Sequence, residues 1–94
     1  MRVEYSKRAI ADLREIAAYY TRSGNPAVAA RIAARIEEAV ARIAVMPLSG
    51  RPVIQRPGVR VVLIRGHRYK IFYRVIRDTI RIVHIRHTSR RPYD

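Results

Sequence analysis

Cysteine and tryptophan are absent from these 94 residues. Without a thiol there is no disulfide framework, no thiolate nucleophile and no zinc knuckle, and small secreted domains commonly carry such staples, so a cytoplasmic address is expected. Long apolar runs are lacking too. The strongest, Val61 to Ile64, is far below the roughly 20 residues of a membrane helix, and Met1-Arg2-Val3-Glu4-Tyr5 has no apolar export segment. Neither membrane insertion nor export is expected. Acidic side chains are scarce, 7 against 20 Lys and Arg, for a formal net charge of +13.

That surplus sits on a chain that is 49% hydrophobic, the composition of a packed body and not of a disordered tail. It is also uneven. Residues 1–46 carry 8 basic and 5 acidic side chains, residues 47–94 carry 12 and 2. Apart from Lys7 and Lys70 the basic residues are arginines, whose planar fork suits bidentate contact with phosphate or carboxylate. The expected partner is therefore nucleic acid or an acidic polypeptide.

At this length residues 1–94 form a single domain. Arg2 to Tyr5 alternates as a short strand. Ser6 is an N-cap for a helix over about 7–22, with apolar positions at Ile10, Leu13, Ile16, Ala17 and Tyr20. Ser23-Gly24-Asn25-Pro26 ends it through a left-handed glycine and starts a second helix, with Asn25 as N-cap, carrying Val28, Ile32, Ile36, Ala39, Val40 and Ile43 and closing near Met46 before Pro47. Arg8 with Asp12, and Glu38 with Arg42, are expected to pair on the solvated side. Prolines at 47, 52 and 57 and glycines at 50 and 58 mark an ordered irregular loop.

Beyond the loop the period changes to that of strands: 59–65, 69–76 and 80–87, separated by segments short enough for hairpins. The expected fold is α+β, a two-helix hairpin packed on a small antiparallel sheet in the order β-α-α-β-β-β, with the other sheet face partly open.

Most chemistry is excluded by spacing. His84 and His87 lie an odd number of residues apart and so face opposite ways on a strand, which leaves no metal cluster. Glu37 and Glu38 are helix neighbours pointing about 100° apart, no acidic dyad. Gly50, Gly58 and Gly66 are isolated, and none stands between a strand and a helix as a phosphate-cradling turn requires. No cofactor and no metal are expected. What remains is a cationic strand face, Lys70-Phe72-Arg74, opposite the natural core set Ile71, Tyr73 and Val75. Such a face suits either phosphate with a stacked base or an acidic peptide.

Five motifs occur in order: Ala9, Asp12-Leu13, Ile16 and Tyr19 on the first helix; Pro47-x-x-Gly50-Arg51-Pro52; Gly58-x-Arg60; Tyr69-x-Ile71-x-Tyr73; and His87-x-x-Arg90. In order and spacing they resemble the RelE/ParE superfamily of toxins from bacterial type II toxin-antitoxin systems, over nearly the whole chain. The resemblance implies the same helical hairpin on a small sheet, and an acidic antitoxin as partner, for which Leu13, Ile16, Tyr20, Ile32, Ile36 and Phe72 are the candidate contacts.

That superfamily holds two activities. One branch cleaves messenger RNA on the ribosome, with basic residues along the strand where this chain has Val61 to Ile64, and with a Tyr or His-Tyr pair where it has Thr88 and Ser89. The ending His87-x-x-Arg90 is closer to the ParE branch, which binds DNA gyrase and traps its cleaved-DNA state without catalysis of its own. Candidate target contacts are Arg60, Lys70, Arg74, Arg86, His87, Arg90, Arg91 and Tyr93. The alternative, a ribosome-dependent messenger RNA endonuclease, would use Arg60, Lys70, His87 and Arg90. A plain basic nucleic-acid-binding module is the third reading.

Overall fold

In the computed structural model of the chain, residues 1–64, 66 and 68–88 are described. The elements are β1 (Arg2–Tyr5), α1 (Lys7–Arg22), α2 (Pro26–Val45), β2 (Arg51–Pro52), β3 (Val59–Ile64), β4 (Tyr69–Ile76) and β5 (Thr79–His87).

Local chemistry sets the boundaries. The Ser6 hydroxyl accepts from the Ala9 N–H at 3.0 Å, as an N-cap should, and donates to the Val83 carbonyl at 2.9 Å, which pins the start of α1 to β5. Gly24 takes φ +76° after α1, a conformation closed to most side chains. The expected Asn25 side-chain cap is not made. Its Nδ2 turns back to the Ser23 carbonyl, and Pro26 opens α2 without it.

The core lies between the helices and one sheet face. Ile32, Ile36, Ala39, Val40 and Ile43 of α2 meet Ile64, Ile71, Tyr73, Ile80, Ile82 and Ile85, with Leu13, Ile16 and Tyr20 of α1 half-buried beside them. Ile10, expected in the core, is exposed.

The sheet corrects the expectation of an antiparallel one. It has five strands in the order β1-β5-β4-β3-β2, and β1 runs parallel to β5, Arg2 opposite Thr79 and Tyr5 opposite Ile82. The alternation of a four-residue strand shows that it is a strand and not which neighbour it joins. β2, within the proline-rich loop, pairs antiparallel with β3 and sits at the sheet edge, where Pro52 costs no ladder bond.

β5 also carries a bulge. Tyr73 faces Ile82 while Phe72 faces His84, so Val83 is the extra residue. The slip lets Ile80, Ile82 and Ile85 all reach the core despite their broken alternation. It likewise sets Arg81, His84 and Arg86 in the rows of the outer face, across from Arg74, Phe72 and Lys70.

Candidate functional site

Three clusters of polar side chains stand out, and each explains part of the sequence pattern. The first ties down the loop. Tyr73 is fully buried; its hydroxyl donates to the Pro47 carbonyl at 2.8 Å and accepts from the Gly50 N–H at 2.9 Å. A Cβ at Gly50 would stand 2.6 Å from that hydroxyl, so only glycine fits. The Arg60 guanidinium completes the knot, donating to the carbonyls of Gly50 at 2.8 Å and Leu48 at 3.3 Å. Arg60 pairs with Tyr73 in the register and therefore lies on the helix-side face.

The second cluster closes the edge of β5 beyond the end of β1. Asp12, expected on the solvated side, is buried. Its Oδ2 accepts from the Ile85 N–H at 2.9 Å and lies 2.6 Å from His84 Nδ1, while its Oδ1 accepts from Arg8 Nε at 3.3 Å. A carboxylate replaces the missing strand neighbour. Because a carboxylate only accepts, Nδ1 of His84 carries the proton, and the ring is held with its face stacked on Phe72, centroids 6.0 Å apart. Glu38, by contrast, pairs with Arg35 and not with Arg42.

The third cluster is on the outer face. Lys70 and Arg86 are direct cross-strand partners, and Arg51, Val61, Phe72 and His84 form the adjacent row. Arg86 is only 7% exposed, and its Nη2 is buried with no hydrogen-bond partner among the described residues. Among the described residues no carboxylate pairs with Arg86 or Lys70. Two clefts meet at Arg86. One, about 320 Å³, lies against α1 and includes Asp12, Glu15, Tyr19, Tyr20 and Tyr69. The other, about 300 Å³, lies under the 51–55 loop and includes Arg51, Val53, Ile54, Val61, Lys70 and Phe72.

The residues nominated from sequence are thus divided. Lys70, Phe72, Arg74 and Arg86 share the outer face, Arg74 being drawn to the Pro57 carbonyl at 3.3 Å. Arg60 and His87 lie on the helix-side rows, His87 edge-on to Tyr69 with centroids 5.2 Å apart. Arg90, Arg91 and Tyr93 lie outside the described residues. Ile32 and Ile36, nominated as antitoxin contacts, are 1% and 2% exposed and belong to the core, so no partner reaches them while α2 stays packed. Leu13, Ile16 and Tyr20 keep part of their surface. Unforeseen were the knot around Tyr73 and the Asp12–His84 contact; the broken apolar spacing Ile80, Ile82, Ile85 was the available sign of the second.

Burial and, secondarily, the Glu37 carboxylate raise the Tyr5 hydroxyl above the ordinary phenol value. No helix among the described residues is long and apolar enough to cross a membrane.

Comparison with known proteins bears on this geometry. Residues 3–92 match the model of a family described as the ParE toxin of the type II toxin-antitoxin system, parDE. Over 77 residues the chain is 39% identical to "Putative toxin Y4kP" of Sinorhizobium fredii (strain NBRC 101917 / NGR234), covering 82% of this chain and 78% of that protein. Among solved structures, a chain of the chromosomal ParDE system from P. aeruginosa superposes with a TM-score of 0.81 at 24% identity, covering 95% of this chain and 97% of that one. The isolated E. coli RelE toxin gives 0.67 at 13% identity, covering 96% and 86%. These structural likenesses establish the fold.

Proposed function

The chain belongs to the ParE toxin family of type II toxin-antitoxin systems, and from that premise we propose that it acts by binding DNA gyrase and trapping the cleaved-DNA state, and that a cognate acidic antitoxin neutralises it. The observation that carries the choice of binding over catalysis is the division of the cationic residues. A phosphoryl-transfer site needs its groups converged on one reacting atom. Here Arg60 is committed to two loop carbonyls on the helix-side face, while Lys70 stands on the outer face. On β3 the outer positions Val61 and Leu63 are apolar. With Arg60 withdrawn from Lys70, a cationic surface flanked by exposed apolar groups suits attachment to a large acidic or mixed partner better than phosphoryl transfer. The antitoxin is supported by the family and by the partnered nature of the matched ParDE system.

The test is a supercoiling assay with purified gyrase and relaxed plasmid. Inhibition accompanied by accumulated double-strand cleavage is expected; unaffected gyrase would sink the reading.

One observation favours a second reading, ribosome-dependent messenger RNA cleavage. His84, oriented by Asp12, shares the outer face with Lys70 and Arg86, an imidazole beside two cations. Cut transcripts in a translating extract, protected when Lys70 or His84 becomes Ala, would establish it. Intact transcripts would remove it.

A further inference from the structure

We propose that the cleft under the 51–55 loop is a docking site for a carboxylate of a partner peptide, flanked by an apolar side chain, and that Arg86 is the cation waiting for it. This rests on the antitoxin reading and deepens it by naming the surface and the chemistry recognised.

The first support is energetic. Arg86 is 7% exposed, its Nη2 is wholly buried with no partner among the described residues, and a buried cation left short of partners is costly to keep. An apolar residue at the same place would fold at least as well. The cost is offset when an anion arrives. The second support is charge. Lys70 stands directly opposite Arg86 and Arg51 reaches the same cleft, while among the described residues no carboxylate lines it. The cleft on the other side of Arg86 sets Asp12 and Glu15 beside Arg22, so it is far less favourable to an anion than the loop-side cleft with Arg51 and Lys70. The anion therefore enters from the loop side.

The third support separates a peptide from a nucleic-acid strand. The walls are Val53, Ile54, Val61 and Phe72, and Ile54 is 91% exposed. A phosphodiester backbone gains nothing from Val53, Ile54 and Val61, and Phe72, on which a base could stack, is already stacked on His84. A peptide that sets an apolar side chain next to a carboxylate uses the walls and the cations together, the apolar part losing its water and the carboxylate taking Arg86 in bidentate fashion.

The experiment uses the whole chain and four probes, followed by NMR at the Arg86 Nε and Phe72 ring signals: a blocked hexapeptide alternating leucine and glutamate, its glutamine and serine counterparts (for glutamate and leucine respectively), and tetrathymidylate. Saturable shifts at both residues are expected with the leucine-glutamate peptide, with binding about tenfold weaker for each counterpart, for tetrathymidylate, and for the parent peptide against Arg86→Met or Lys70→Met. Arg86→Met is also expected to melt no lower than the parent protein; should it not fold, Lys70→Met alone decides. Equal binding of the serine counterpart or of tetrathymidylate, or affinity unchanged in the variants, overturns the proposal.

Growth assays keep the two levels apart. If the parent chain arrests growth and a coexpressed cognate antitoxin rescues Arg51→Met, altered in the same cleft, as fully as the parent, the cleft assignment fails and the toxin reading stands. If the parent chain causes no arrest while the leucine-glutamate peptide still binds as above, the toxin reading fails and the cleft assignment stands.

Discussion

Tyr73 and Arg86 are both buried polar side chains on neighbouring strands, yet one has all its hydrogen-bonding roles filled and the other has a nitrogen with none. The Tyr73 hydroxyl gives one bond and receives one, and each partner is a backbone group of the loop. Arg86 shares its burial, and its Nη2 has no partner among the described residues. A buried polar group whose partners are all internal maintains the fold; one left short of partners costs stability unless another molecule supplies them. The contrast predicts opposite signs for two substitutions of similar modesty.

Tyr73→Phe is the larger effect. It leaves the Gly50 N–H and Pro47 carbonyl without a partner, and the loss is expected to be about 3 kcal/mol of unfolding free energy, read by denaturant titration. A change below a few tenths would mean that water replaces the hydroxyl and that the knot is ornamental. Asp12→Asn comes next, at about 2 kcal/mol, because the amide cannot accept from Ile85, His84 and Arg8 together. The same variant should free the His84 ring, seen as a changed imidazole NMR signal.

Arg86→Met tests the other side of the comparison. Its expected effect on stability is zero to about 1 kcal/mol in the favourable direction, since an unpaired buried cation is exchanged for an apolar chain of similar length. A loss as large as that of Tyr73→Phe would make Arg86 a structural residue after all. The smallest effect is at Tyr5. Its folded pKa lies above the unfolded value of about 10, so its contribution is fully present below that pH. It is lost as pH rises through the folded value. Tyr5→Phe should flatten that alkaline slope in a stability titration.

Much of the fold was legible because each element declares itself locally. Ser6, Gly24 and Pro26 bracket the helices, and the β-branched runs announce β3, β4 and β5 to within a residue or two. The pairing of β1 with β5 was not, because register between segments 77 residues apart depends on the packed core and not on either segment. The site was legible in composition and not in geometry. Lys70, Phe72 and Arg74 were correctly placed together by alternation, since β4 is regular. Arg60 followed the same alternation to the opposite face, and its role emerged only when the loop carbonyls it holds were in place. Arg86 could be nominated from sequence, but its missing partner is a property of three dimensions.

The parallel pairing of β1 with β5 has a consequence for the time course of folding. Arg2 must meet Thr79 and Tyr5 must meet Ile82, so the first strand stays unpaired until β5 has left the ribosome. Contacts between distant parts of the chain slow folding, because the intervening loop must be closed before any of them forms. A nascent chain of this kind holds its helices early and its finished sheet last.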